Sequence, residues 1–560
     1  MRSSSPRVLM LLMVAAVPAL AQQVPVAPAP SVTAPAAIAL EEILKRAAES
    51  EGTIISNLKA FKPIVEVYLQ NVVPDEAQAV TPTEDTYVLG RFSWRNGPRL
   101  QMLSGGTDAP RVSATSATGK RLQYEPDGFV AMLAPDWGSL DDGRYSFTVV
   151  RREFVGEARC FVIDVKPTRN MRDGFSGRIW VEDRDYNIVR FNGINRRLER
   201  EFFRQSLSFH IDSWRTNVLP GLWLPSYVYV EEIEADAPTS TVRRAHVRSQ
   251  VRLWGYDPRK AQTSSLFTNI LIDAPQVQDN AGHQGQLSPV LSARQWEAEA
   301  ESNVLERLDK AALLAAPGEV EKVLETVINN LEVTNDLTLD RPVRVRVLLT
   351  APFESFTVGH TIVLSRGLIG VLPDEASLAM MLAHELAHVA LGHPLIDTQF
   401  AFGDRLMVND EDLLHLLQLK RTPAEEAAAD QKVLEMLETS PYKGKLADSG
   451  LFLKIVAARG TQLRHLIQPH IGDHIAQGGQ IMRLTQVMQA APELKTERLD
   501  QIAALPLGAR LALDPWSSRL ELIRNAAQLP GSARERVVPL TISPLIPYLK
   551  YIEAPPLFRP

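Results

Sequence analysis

Hydrophobic positions change their period three times along the chain. After Arg2 and Arg7, a short apolar run from Val8 to Val17 leads to Ala19-Leu20-Ala21. A charged start, a short apolar core and a small-x-small site predict a signal peptide over residues 1–21, cleaved after Ala21. The run is shorter than the roughly 20 apolar residues a transmembrane anchor needs. Residues 22–37 are rich in Pro and Ala and read as an extended linker. From Glu41 to Tyr68 the apolar residues Ile43, Leu44, Ile54, Ile55, Leu58 and Phe61 recur at helical spacing. From about residue 85 to 257 the period shortens to two, with turn signals between short runs. Tyr145 to Val150 is one such strand. Gly177 to Val181 and Ile188 to Phe191 form a hairpin, and Leu207 to Trp214, Leu222 to Glu231 and Val242 to Trp254 follow. This order predicts a meandering antiparallel sheet. Its large residues Phe147, Val149, Ile179, Val181, Phe191, Trp223 and Tyr227 are expected on one concave face, with the Glu41 to Tyr68 helix over part of it.

Residues 258–292 are polar and predict a second linker. Beyond it the helical period returns in Ala293 to Leu314 and Val320 to Leu331. Val343 to Leu349 and Thr361 to Leu364 read as strands, and the latter is expected to be an edge able to pair with an extended peptide. Leu378 to Gly392 is apolar nearly all round, with Leu372-Pro373-Asp374 before it and Gly392 and Pro394 after it, which predicts a buried helix. Helices continue through Gln431 to Leu437, Leu446 to Arg459 and Ile475 to Gln489, and a proline-bearing tail occupies 529–560.

The buried helix contains His384-Glu385-Leu386-Ala387-His388. Histidines four apart share a helical face and can bind one Zn²⁺, while Glu385 beside them can act as general base toward the attacking water. Two buried core histidines satisfied by hydrogen bonds would be the plainer explanation, so the assignment turns on a third ligand. A continuation with Gly and His three and six residues after the second His fails, because those positions are Leu391 and Pro394. His393 falls one residue short and reads as a helix-end residue. The alternative is a later helix starting at Pro423, where Glu426 and Asp430 are four apart. Glu426 would ligate the metal, Asp430 would accept the other ring N–H of a ligating histidine, and Glu425 would be a solvated charge of the first turn.

With these residues in place, the sequence resembles the gluzincin endopeptidases that include HtpX, BepA and the CaaX prenyl protease. Their pattern of His-Glu-x-x-His followed by Glu-x-x-Ala-Asp is matched by His384 to His388 and by Glu426-Ala427-Ala428-Ala429-Asp430. Thr361 to Ile369 looks like the family's strand and helix start before the metal helix. The likeness spans roughly 295–525. Two departures stand out. Glu354 to His360 replaces the family's Asn-Ala-Phe-Ala and Pro-Gly-Gly run, and Leu505 to Arg510 keeps the family's Pro and Arg but not its His. The resemblance implies one Zn²⁺ held by His384, His388 and Glu426, catalysis by Glu385 with Asp430, and Arg510 as a candidate contact for the oxyanion. Residues 38–257, from the hairpin after Ser176 to the Leu222 to Tyr227 region, are similar to the LolA/LolB-type periplasmic half-barrel.

Composition narrows the partners. The 560 residues carry a net charge of −6, which gives no broad case for nucleic acid or anionic membrane. A single cysteine, Cys160, excludes an intramolecular disulfide. Together these predict an α+β protein, exported to a bacterial periplasm or exterior, with a β domain at 38–257 and a mainly helical metallopeptidase domain at 293–528. Polypeptides, including envelope proteins under quality control, are the expected substrates. The alternative is an envelope binding or chaperone-like protein whose half-barrel holds lipid or unfolded protein beside a structural zinc. His465, His470 and His474 cluster in sequence and read as surface histidines.

Overall fold

The computed structural model describes residues 39–74, 80–95, 97–103, 112–115, 121–133, 143–168, 174–198, 206–233, 247–256, 289–393, 414, 417, 419–468, 471–494, 511–514 and 519–522. The expected signal peptide, the N-terminal linker, most of the second linker, His470, Arg510 and the tail lie outside the described residues.

The chain folds as α+β. Helix α1 (Leu40–Phe61) buries Ile43, Leu44, Ile54, Leu58 and Phe61 along one stripe. It stops seven residues before Tyr68, the expected end, because Pro63 cannot donate a helical N–H and Lys62 turns to a positive φ of 47°. Tyr68 lies instead in strand β1 (Ile64–Pro74). Strands β2 (Val80–Trp94) and β3 (Pro98–Met102), the small hairpin β4 (Val112–Thr115) and β5 (Arg121–Tyr124), and helix α2 (Pro126–Ala131) follow. Then come β6 (Tyr145–Val155), β7 (Ala158–Pro167), β8 (Gly174–Glu182), β9 (Ile188–Leu198), β10 (Ser206–Leu219), β11 (Leu222–Ile233) and β12 (Val247–Trp254). Ten of these strands make one antiparallel sheet in the order β3-β2-β1-β12-β11-β10-β9-β8-β7-β6, open between its two ends.

The sheet buries both faces over β1, β2, β11 and β12, and strict alternation divides the residues. On one face Val65, Val67, Val88, Val228, Val230, Val251 and Leu253 join α1 and α2 in one core. On the other face Ile64, Tyr68, Tyr87, Leu89, Tyr227, Tyr229 and Trp254 belong to the core of the second half of the chain. This corrects the expected concave face. Ile179, Val181, Phe191 and, at its border, Phe147 do pack on the α1 side. Tyr227 faces the opposite way, Trp223 borders a separate small cluster, and Val149 is exposed.

The second half begins with α3 (Pro289–Lys310) and α4 (Glu319–Thr334). A three-stranded sheet follows, made by β13 (Arg344–Leu348), β14 (Ser355–Val358) and β15 (Thr361–Ser365) in the order β13-β15-β14. Thr361 to Leu364 is therefore the central strand and not an edge. The edge next to the helices is β14, within the Glu354 to His360 run that the sequence left without an element. Helices α5 (Arg366–Val371), α6 (Glu375–Ala390), α7 (Pro423–Thr439), α8 (Leu446–Arg459), α9 (Arg464–Ile467) and α10 (Thr485–Ala490) complete the body, with the hairpin β16 (Ala476–Gln477) and β17 (Gln480–Ile481) between the last two. The expected helix at Ile475 to Gln489 is thus a hairpin turning on Gly478 and Gly479, both at positive φ, followed by the short α10. No helix among the described residues is long and apolar enough to cross a membrane.

Candidate metal centre

Helix α6 has a defined start and stop. Asp374 caps its N-terminus by accepting from the Ser377 N–H at 2.8 Å. At the other end Gly392 takes φ 62°, its N–H reaches Val389 O, and His393 N–H reaches His388 O at 3.1 Å. These are the two bonds of a Schellman stop. Between them the helix is buried on every side: His384 is 0% exposed, and Glu385 and His388 are each 2% exposed. Helix α7 starts at a capping box, with Thr422 accepting from Glu425 N–H and Glu425 accepting from Thr422 N–H. Glu425, read as a free charge, is this cap, and the Thr422 backbone N–H holds its carboxyl below the usual range.

Packing of α7 on α6 turns Glu426 and Asp430 toward the histidines. His384 Nε2 lies 3.1 Å from Glu426 Oε2, and His388 Nε2 lies 3.4 Å from Glu426 Oε1. The two Nε2 atoms are 3.2 Å apart. On its other side His384 presents Nδ1 to Asp430 Oδ1 at 3.2 Å, while Asp430 Oδ2 accepts from the Leu484 N–H at 2.7 Å. His388 Nδ1 faces His393 Nδ1 at 2.8 Å. Burial opposes a charge on His384, but Asp430 and Glu426 outweigh it and raise its pKa to about 9. Burial also opposes ionisation of Glu426, and the two histidines and Arg483 overcome it, holding that carboxyl far below its usual range.

These donors fit a zinc ion. Two donors bonded to one tetrahedral zinc at 2.0–2.1 Å are separated by about 3.3–3.4 Å, close to the spacings seen here. Neither of the two buried oxygens of Glu426 accepts a hydrogen bond of good geometry, so both are left with lone pairs facing the histidine nitrogens. A buried carboxylate in that condition is costly unless a cation or proton completes it. Among the described residues, His384, His388 and Glu426 are the group whose ligand atoms converge in this way, within 4.8 Å of one another.

Glu385 points into a set of donors that the sequence did not reveal, and shares Arg483 with Glu426. Ser355 Oγ donates to its Oε1, Thr357 Oγ1 donates to its Oε2 at 2.7 Å, and Arg483 Nη1 donates to Oε1 at 3.1 Å. Burial pushes the Glu385 carboxyl up, and Arg483, the two histidines and Ser355 more than offset that, so it sits below the ordinary range. Arg483 is 3% exposed, donates also to Asp473 O, and brings Nε within 3.9 Å of Glu426 Oε2. The signals for these residues were faint. Ser355 and Thr357 alternate with Phe356 and Val358, a two-residue period over only four positions, and Arg483 is one cation within an apolar stretch after a Gly-Gly turn. His465 lies elsewhere, donating its backbone N–H to Asp85 Oδ1 at 2.9 Å, and Arg510 falls outside the described residues.

Comparison with known proteins adds a family and three partial likenesses. Residues 317–442 match the model of peptidase family M48. Among solved structures, a LolA superfamily protein from Nitrosomonas europaea is 12% identical, with 39% of this chain and 92% of that chain covered and a TM-score of 0.20. A DUF1329 family protein from Desulfovibrio piger is 9% identical, with 38% and 94% covered and a TM-score of 0.19. The Pseudomonas aeruginosa MucA/MucB complex gives 8% identity, 40% and 95% covered, and a TM-score of 0.13. Comparison with curated proteins gives no match.

Proposed function

We propose that this chain, whose match to the peptidase family M48 model at residues 317–442 supports a metallopeptidase, is an exported zinc endopeptidase acting on polypeptides of the bacterial envelope, in protein quality control. The observation that carries the reading is the convergence of His384, His388 and Glu426 beside Glu385 on a buried helix. Export rests on the charged, apolar and small-residue pattern of residues 1–21.

In this mechanism His384, His388 and Glu426 hold the metal, and Asp430 fixes the ring of His384 through Nδ1. Bound there, zinc supplies Lewis acidity toward the scissile carbonyl and lowers the pKa of a water. Glu385 accepts one proton as the water oxygen adds to the carbonyl carbon, then delivers it to the amide nitrogen as the C–N bond breaks. Ser355, Thr357 and Arg483 hold the Glu385 carboxylate in place for both transfers. The edge strand β14, which carries two of those three residues, is the element along which an extended substrate would align its main chain. Arg510, which lies outside the described residues, is the candidate that the sequence offers for the contact to the oxyanion.

Glu385→Gln tests this directly. It keeps the shape of the side chain and leaves the three ligands untouched, so zinc content should stay at one per chain while cleavage of an unfolded protein falls by at least a hundredfold. Chelator should abolish wild-type cleavage and added zinc should restore it. Comparable turnover by the Gln variant would sink the general-base role. Wild-type cleavage that survives complete metal removal would sink the metallopeptidase mechanism.

A further inference from the structure

The second metal-facing histidine has a partner of its own, and it comes from the helix stop. In the Schellman motif that ends α6, His388 is the third residue from the last helical position and His393 is the second residue beyond the cap. A motif of this kind brings the side chains at those two positions together, usually as a hydrophobic contact. Here both are histidines, their ring centroids are 5.0 Å apart, and their Nδ1 atoms meet at 2.8 Å. Gly392 makes the geometry possible. Nothing lies within 4 Å of where its Cβ would stand, so the requirement for glycine comes from its φ of 62° and not from crowding. The His393 carbonyl is tied to the start of α7 by Arg421 Nη1 at 3.4 Å.

We propose that His393 is a positioning residue for the metal centre: its Nδ1 accepts the Nδ1–H of His388 and thereby fixes His388 as the tautomer whose Nε2 lone pair faces the metal. This rests on the metal-ligand reading given above. The geometry leaves one assignment. His388 Nε2 is the atom directed at His384 Nε2 and Glu426, so a ligating His388 must carry its proton on Nδ1. The atom facing that proton is His393 Nδ1, which then accepts, with the His393 proton on Nε2. The Nδ1 of His384 lies 3.2 Å from Asp430 Oδ1 of α7. Each ligating histidine thus has its Nδ1 beside a polar atom of another side chain, one a carboxylate of the neighbouring helix and one the imidazole that follows their own helix. Outer partners of this kind set ring orientation and ligand basicity.

Asn and Leu at position 393 separate this role from simple packing. Asn places Oδ1 where His393 carries Nδ1, and Leu places a methyl group there with nearly the same volume. In the full-length chain, competition with a chromogenic chelator should show His393→Leu binding zinc 10–100-fold more weakly than wild type. His393→Asn should stay within about threefold of wild type, and the melting temperature of the metal-free protein should be unchanged in both. Wild-type zinc affinity in the Leu variant overturns the proposal, as does an equal loss in Asn and Leu. A wild-type chain that binds no zinc, or whose zinc binding survives His388→Ala, overturns the metal-ligand reading itself and this proposal with it.

Discussion

Arg483 is a buried cation set among carboxylates, and replacing it with Met tests how the metal-free centre is held together. Its guanidinium lies 3.1 Å from Glu385 Oε1 and 3.9 Å from Glu426 Oε2, and the Arg483 and Glu385 side chains are both buried. At an effective dielectric of about 20 the closer pair alone is worth roughly 5 kcal/mol of Coulomb energy. Removing one member of such a buried pair costs about 3–5 kcal/mol, because the remaining charge is stranded. For a folded body of several hundred residues that corresponds to a fall in melting temperature of roughly 3–7 °C, measured in excess chelator. Zinc should narrow the difference. A dication at His384, His388 and Glu426 is repelled by Arg483, so Arg483→Met should bind zinc about tenfold more tightly or better, which is about 1.4 kcal/mol or more. Calorimetric scans with and without saturating zinc read both quantities on one sample. The zinc-induced rise in melting temperature should be larger in the variant than in wild type. A metal-free variant as stable as wild type, or one with weakened zinc affinity, would show that Arg483 is not the counter-charge of these carboxylates.

Two further outcomes follow from the same geometry. Glu426→Ala should lose zinc while Glu425→Ala should keep it and lose only about 1 kcal/mol of stability through its capping box; equal metal loss from both, measured by mass spectrometry on purified protein, would place the third ligand on the wrong face of α7. His384 is raised to about 9 in the metal-free fold from an ordinary value near 6.5. The stability it contributes is therefore fully present below pH 6.5 and is lost as the pH climbs through 9, on the order of 3 kcal/mol in all. Denaturation in chelator should show that decline in wild type and not in His384→Gln, and a wild-type curve parallel to the variant's from pH 6 to 10 would refute the shift.

What the sequence disclosed follows from the range of the interactions involved. The helical period is local, so the shared face of His384 and His388 and that of Glu426 and Asp430 could be read from spacing, and the structure brings His384, His388 and Glu426 together. The antiparallel character of residues 85–257 was legible for the same reason, since alternation and turn residues are local signals. Long-range pairing was not legible. The position of Thr361 to Ser365 at the centre of its sheet depends on β14, a four-residue strand with little periodicity of its own. The concave face was misassigned because β1, β2, β11 and β12 carry apolar residues on both faces. Tyr227 and Val228 are both buried, on opposite sides, and nothing in their alternation says which side meets α1. Glu385's partners come from β14 and from the turn after β17, 28 to 98 residues away in sequence. No spacing rule connects such positions.

The double burial of β1, β2, β11 and β12 also explains why acidic residues occur on a face that otherwise carries tyrosines and tryptophan. Glu66 accepts from Ala351 N–H at 2.6 Å and from Tyr87 Oη at 3.1 Å, and pairs with Arg366 at 2.9 Å. Asp85 accepts the backbone N–H groups of His465 and Leu466, each at 2.9 Å, at the start of α9. These are the backbone donors that a loop and a helix start leave over, and a carboxylate on a sheet satisfies them where water is excluded. The two segments held this way are themselves joined, since Phe353 N–H reaches Leu466 O at 2.8 Å. Both lead directly to the centre. Two residues after Phe353 comes Ser355, and six residues after Leu466 comes Gly472, whose missing side chain leaves room for the Ser355 carbonyl. Asp473 then accepts from Arg483. The large sheet thus supplies the fixed points from which the loops around Glu385 are measured, and the β domain is part of the framework of the candidate metal centre through hydrogen bonds to backbone.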